Sequence, residues 1–282
     1  MSGQIIAFNP LENKGNDGLP ALIPYRQQEN WGFCTPDKKI VIACTYENTN
    51  PFSEGLAEVR KNDKSGYIDM TGNLVIPYKY DYGSLFKEGL AAVEKFGKYG
   101  YIDKTGKEVI PFLFSDAEDF IDGLAIVEQK DKWGFIDKTG KIVIPCKYDL
   151  VTAFKNGVAF VELNGKNKYI DKKGSFVPEP EDQDYYEGLA LAYNDKDKVG
   201  YVDEQGNEAI ACVYDDGMDF SEGMAAVCLK GKWGFINKSG TLVIPCKYPD
   251  FIDAFSDGLA LMQLSEDDFG FIDTKGTEYW ED

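Results

Sequence analysis

Histidine is absent from all 282 residues. That one absence removes the commonest general base, the Ser-His and Cys-His nucleophile pairs, and every zinc site that needs imidazole. Cysteine is sparse, with six residues and no Cys-x-x-Cys pair, so a zinc site has little to build on. No apolar run approaches the roughly 18 residues that span a bilayer, and no segment repeats its apolar residues at helical spacing. The opening Met1-Ser2-Gly3-Gln4-Ile5-Ile6-Ala7-Phe8 lacks both a basic start and a long apolar core. No signal peptide is therefore expected, and the expected location is cytoplasmic. A glycine-rich phosphate loop is missing, as is any basic patch interleaved with aromatics, so nucleic acid is not an expected partner.

What is present in excess is acid. Against 30 Lys and Arg stand 48 Asp and Glu, a formal charge of −18. Such a field repels nucleic acid and anionic membrane, and it favours solubility or a basic partner. The remaining composition, 43% hydrophobic and 14% aromatic, is that of a folded chain long enough to bury a core.

The chain is periodic. The line Lys232-Trp233-Gly234-Phe235-Ile236-Asn237-Lys238-Ser239-Gly240 nearly duplicates Lys132-Trp133-Gly134-Phe135-Ile136-Asp137-Lys138-Thr139-Gly140. Its glycine recurs as Gly32, Gly66, Gly100, Gly134, Gly200, Gly234 and Gly270, and Lys168 takes its place in the fifth copy. The step is about 34 residues, so eight copies fill the chain as one continuous array. Each copy has three short apolar runs: Gly-Leu-Ala-x-Val, as at Gly89 to Val93; the Trp-Gly-Phe-Ile line; and Val-Ile-Pro, as at Val143-Ile144-Pro145. Runs of this length, rich in Val, Ile, Phe and Tyr and bounded by Gly and Asp, predict strands.

The joints are readable too. Asp103-Lys104-Thr105-Gly106 and its equivalents predict a turn, because the aspartate accepts a backbone N–H two residues on and the glycine takes a positive φ. A dozen-residue connector leads to the next first run, ending in an aromatic such as Phe86 or Phe120 that is expected to plug the gap between units. The alanine that recurs at Ala57, Ala91, Ala125, Ala159, Ala190, Ala225 and Ala260 marks the first run as the buried strand of each unit. The expected fold is thus all-β, a tandem array of about eight three-stranded antiparallel units. An open twisted stack is favoured, and a closed β-propeller is the alternative. Residues 1–282 are expected to form a single domain, with a cap and first strands in 1–30 and the eight lines in 31–282. A surplus third-run strand is expected at Ile5-Ile6-Ala7-Phe8.

The repeated Lys-Trp-Gly-Phe-Ile-Asp-x-x-Gly-x-x-Val-Ile-Pro-x-x-Tyr-Asp, followed by Phe-x-Glu-Gly-Leu-Ala-x-Val, resembles the bacterial WG (KWG) repeat along essentially the whole chain. Only Trp31, Trp133 and Trp233 keep the tryptophan; Tyr99, Val199 and Phe269 replace it, and Ser65 and Asn167 drop the aromatic. The resemblance implies a binding module and brings no catalytic residues.

Candidate sites are few. The tryptophan column (Trp31, Trp133, Trp233) could face a glycan or peptide, or it could pack between units. Because Ser65 and Asn167 share that column, it is not expected to be deep core in every copy. The fifth copy carries an acidic connector with Glu179, Glu181, Asp182 and Asp184, which suits a cation or a basic partner, or simply a solvated loop. Its spacing matches no calcium loop. Cys44, Cys146, Cys212 and Cys246 share one repeat position, where buried thiols are expected rather than a metal or disulfide ladder. No catalytic residue, cofactor or metal ligand is assigned. The expected function is a non-enzymatic scaffold for a protein or peptide, with a glycan or small-ligand module and a carboxylate-based hydrolase as alternatives.

Overall fold

The computed structural model describes residues 19–180, 185–251, 253–266 and 268–281. The expected strand at Ile5–Phe8 lies outside them. All regular structure in the described residues is β, arranged in eight sheets of three or four strands, none closed into a barrel. By compactness the chain divides into two units, one of Asn30–Gly32 and Val41–Pro180, the other of Phe33–Ile40 with the described parts of Lys14–Glu29 and Glu181–Asp282.

One sheet of the first unit stands for the rest. Tyr82–Gly83, Leu90–Lys95, Lys98–Asp103 and Glu108–Phe114 form an antiparallel meander in chain order. The last three are the expected runs. The first is an addition: two residues of the connector fold back and pair with the run that follows, Tyr82 opposite Glu94 and Gly83 opposite Val93. Two residues without an apolar alternation carry no strand signal, which is why the connector reads as loop. The glycine-led strand is buried on both faces at Leu90, Ala91, Ala92 and Val93, as the alanine column predicts.

The glycine of the Trp-Gly pair has a steric cause. A Cβ on Gly100 would lie 2.6 Å from the carbonyl oxygen of Ile110, and one on Gly134 would lie 2.6 Å from that of Ile144. The backbones approach this closely because the pairing register shifts between Tyr99 and Tyr101 and again before Ile102, a bulge that the Pro-bearing strand accommodates. In the fifth copy the strand beyond Lys168 is only Phe176–Val177, paired in simple register with Tyr169 and Ile170. Without the bulge a side chain fits, and Lys168 replaces glycine.

The turns behave as expected. Asp103 Oδ1 accepts the Thr105 N–H at 2.9 Å and the Lys107 N–H at 3.1 Å, and Gly106 has φ +78°. Gly106 in turn packs on Ile76 of the preceding sheet, and Gly140 likewise on Ile110.

A second turn, before each glycine-led strand, was unexpected in one respect. Glu88 has φ +52° and Gly89 +87°, the mirror-type hairpin turn in which Asn or Gly usually fills the first place. Glutamate is tolerated because it is tied on both sides. Its Oε1 accepts the Gly123 N–H of the next sheet at 3.2 Å, and Lys138 pairs with its Oε2 at 2.8 Å while donating to its backbone oxygen at 3.1 Å. Glu54 repeats the arrangement with Gly89 and Lys104, and Glu187 with Gly223 and Lys238. The Lys138 ammonium holds the Glu88 carboxyl below the ordinary glutamate range. Thus the lysine of the Asp-Lys-Thr-Gly turn, whose spacing alone suggests a solvated residue, staples neighbouring sheets.

In the second unit Ile23–Gln27 takes Trp280–Glu281 alongside it in parallel, with Arg26 opposite Trp280. Arg26 forms an ion pair with Asp268 at 3.0 Å, and its N–H donates to the Tyr279 carbonyl at 3.2 Å. The last strand of the chain is therefore held by the first described one.

Two measurements check these causes. Gly134→Ala is expected to cost about 2–3 kcal/mol, because the clashing atom is backbone and cannot rotate away; urea denaturation reads it. For the staple, a double-mutant cycle of Glu88→Ala and Lys138→Met is expected to give a coupling of roughly 0.5–1 kcal/mol, modest because both groups are partly exposed.

Candidate binding cleft between two tyrosines

The connectors that supply the short strands also supply a sizeable cleft. Tyr82 and Ser84 come from one connector, Asp116, Ala117, Glu118, Asp119 and Ile121 from the next, and Tyr99 from the tryptophan column. They enclose about 480 Å³. Both connectors are fixed by the same bond: Tyr67 donates its hydroxyl to the Ser84 carbonyl at 2.9 Å, and Tyr101 donates to the Glu118 carbonyl at 2.7 Å. Ser84 is held further by the Ala92 N–H, which its Oγ accepts at 3.0 Å. The Tyr82 and Tyr99 rings stand 6.1 Å apart at 56°.

The lining carries three carboxylates and no cationic side chain. Burial raises the Asp119 carboxyl, against the Ser84 hydroxyl and the nearby Lys87 ammonium, which act the other way. Burial likewise raises Glu118, helped by Asp116 and Asp119. The Tyr99 hydroxyl is pushed up to about 12 by burial and by the charges of Glu94 and Asp116. Asp119 Oδ1 is shut off from solvent and has no hydrogen-bond partner.

Beside the cleft lies a buried polar layer. Glu58 is 6% exposed, at a position filled by Ala92, Ile126, Phe160, Leu191, Ala226 and Leu261 in the sister sheets. Asn50 donates its side-chain amide to Glu58 Oε2 at 3.3 Å, and the Ser65 hydroxyl bonds the same carboxyl. Gly83 makes room, since a Cβ there would lie 2.6 Å from the Tyr67 hydroxyl and 3.2 Å from Glu58 Cγ. Burial pushes the Glu58 carboxyl up to about 7, with the Ser65 bond and Arg60 opposing. The column is not deep core in every copy, since Asn167 is exposed and Trp133 and Trp233 are half-buried, but Ser65 itself is 1% exposed, and there polarity meets a buried partner rather than an open surface.

The tryptophans stand elsewhere. Trp31 is buried, and Trp133 is half-buried against a cluster with Tyr148 and Val151. Trp233 is half-buried with its ring 4.6 Å from that of Phe251, which belongs to the following short strand. None lines the cleft. Glu179 is exposed and accepts the Tyr169 hydroxyl at 3.1 Å, whereas Glu181, Asp182 and Asp184 lie outside the described residues. The Cys146, Cys212 and Cys246 thiols each donate weakly to a carbonyl of the glycine-led strand, at 3.6–3.9 Å. Among the described residues no group of three His, Cys, Asp or Glu is placed to hold a metal ion. The cleft itself was legible only as three carboxylates within the four residues before Phe120, and as one acid in an otherwise apolar column.

The pattern described as "WG containing repeat" matches residues 31–64, 66–99, 99–133, 133–166, 200–233 and 233–266. The chain belongs to the WG-repeat family. The match skips the fifth copy, the one that lost both glycine and bulge. Among curated proteins the WG-repeat chain finds no match. Among solved structures it is similar to "Dihydro-heme d1 dehydrogenase NirN in complex with DHE", with 12% identity, 95% of this chain and 74% of that chain covered, and a TM-score of 0.51. At that identity the likeness concerns the fold alone. It also aligns with "AfRom2 CNH domain" (10% identity, 92% of each chain, TM-score 0.40). A third is "Crystal structure of WD40 beta propeller domain of Doa1" (10%, 87% and 86%, TM-score 0.39). No helix among the described residues is long and apolar enough to cross a membrane.

The raised Glu58 carboxyl has a signed consequence. Between about pH 4.5 and 7 the folded chain holds a proton that the unfolded chain has released, so stability falls as pH rises through that window. Glu58→Gln is expected to match the parent near pH 4.5 and to exceed it at pH 8 by on the order of 3 kcal/mol. Urea unfolding of both proteins across that range measures the difference.

Proposed function

We propose that the chain, acting as one WG-repeat domain, is a non-enzymatic scaffold that binds a protein or peptide partner in the cytoplasm. The observation that carries this reading is the repeated exposure of aliphatic side chains on the Pro-bearing strands of the first unit. Val75, Val109 and Val143 share one repeat position and are all exposed, with Leu74 and Ile142 exposed beside two of them, on strands that form one edge of their sheets. Scattered apolar residues on a surface need no explanation. A column repeated in three successive sheets is different, because it offers a row of apolar contacts with unpaired backbone groups, the arrangement that strand addition and repeat-surface binding use. The excess of acid suits a basic partner and sets the sign of long-range steering.

The test is affinity isolation with the full chain, run beside the Val109→Lys and Val143→Lys variants. A stoichiometric protein partner is expected with the parent and at least tenfold less with either variant, at unchanged melting temperature. No partner, or equal recovery with both variants, would overturn the reading.

A further inference from the structure

The tyrosine-lined cleft is separate from those edge strands and calls for its own occupant. We propose that it binds an organic cation, a guanidinium or ammonium group of the size carried by arginine or lysine, between Tyr82 and Tyr99 and against Asp116, Glu118 and Asp119. Four observations carry this independently of the protein-binding reading.

First, the signs agree. Three carboxylates line the space, Glu58 and Glu94 stand behind it, and Lys87 is the one cation acting on Asp119. The balance stays negative, which excludes an anionic ligand. Second, two tyrosine rings line the space, and an aromatic ring attracts a cation placed within about 6 Å of its centroid. That feature distinguishes an organic cation from a hydrated divalent ion, and no metal-holding group occurs among the described residues. Third, a volume of about 480 Å³ falls in the range of small-molecule sites, typically about 300–1,000 Å³. It is much larger than a bare ion needs. Fourth, Asp119 Oδ1 is buried without a donor. Leaving a buried acceptor unpaired is costly, and an incoming N–H group offsets that cost. The acid particular to this connector is Glu118, whose equivalents are Ser84, Thr152 and Met218, whereas Asp116 caps the Ala117 N–H as Asp216 caps that of Gly217, and Asp219 recurs at the position of Asp119.

The chemistry could arrive as a free small molecule or as a side chain on a basic peptide. Isothermal titration of the full chain with argininamide, N-butylammonium, the blocked tripeptide Gly-Arg-Gly and citrullinamide separates these cases. Saturable binding of an arginine compound is expected, with citrullinamide, whose side chain is uncharged, at least tenfold weaker. Tighter binding of argininamide identifies a free ligand, and tighter binding of the tripeptide a peptide side chain. Asp119→Asn is expected to weaken binding at least tenfold while leaving the melting temperature unchanged or higher, since it removes a charge that burial penalises. Tyr82→Ala, at a residue 45% exposed, gives the second arm if Asp119→Asn does not fold. Equal affinity for citrullinamide, an unchanged Kd in both variants, or no saturable binding of any cation would overturn the proposal. Val109→Lys is expected to leave it untouched, which keeps this test distinct from that of the edge strands.

Discussion

Everything in the array depends on how each sheet grips the next, and the grip is centred on a residue held where glutamate is uncomfortable. Glu54, Glu88 and Glu187 adopt positive φ at the first place of a hairpin turn. That conformation carries a conformational cost. Each is compensated by a backbone N–H about 35 residues on and a lysine about fifty residues on, both from the next copy, so two neighbouring copies meet at one side chain. Where the lysine is missing, as for Glu222, the bond to the Gly258 N–H remains. The staple is partly exposed and adds little energy singly. Its effect is to fix spacing, since a carboxylate reaches both partners in only one arrangement.

Within a sheet the constraint is steric. The Trp-Gly glycine exists because a carbonyl oxygen occupies the place of its Cβ, and that approach exists because the third strand is bulged. Glycine and bulge go together, with or without proline, since Gly200 keeps both opposite a third strand that carries Ala211. The fifth copy loses the two together, with Lys168 and a two-residue third strand in simple register.

Desolvation shapes the cleft. Ser65 and Glu58 trade an aromatic–aliphatic contact for a buried polar pair, and Asp116, Glu118 and Asp119 crowd one connector. Each raised carboxyl reports free energy spent on keeping a charge out of water, and such groups concentrate where a site is tuned for binding. The tryptophan column, the obvious signature in the sequence, packs on short strands instead, Trp133 beside Val151 and Trp233 against Phe251.

Sequence alone determined the strands, the turns and the buried alanine column, because each follows from local chemistry: alternation, aspartate bonding two residues on, and glycine at positive φ. It also marked the eightfold repetition and the family. Only the tertiary structure decided which copies touch. Residues some 17, 35 and 50 positions apart meet at Ser84, Gly123 and Lys138, and no local pattern encodes that. It also decided that the connector contributes a strand, since two residues gain their pairing from a neighbour formed elsewhere. Above all it decided that polarity at Ser65 meant burial, because whether a hydroxyl faces water or a carboxylate depends on what the next sheet brings beside it.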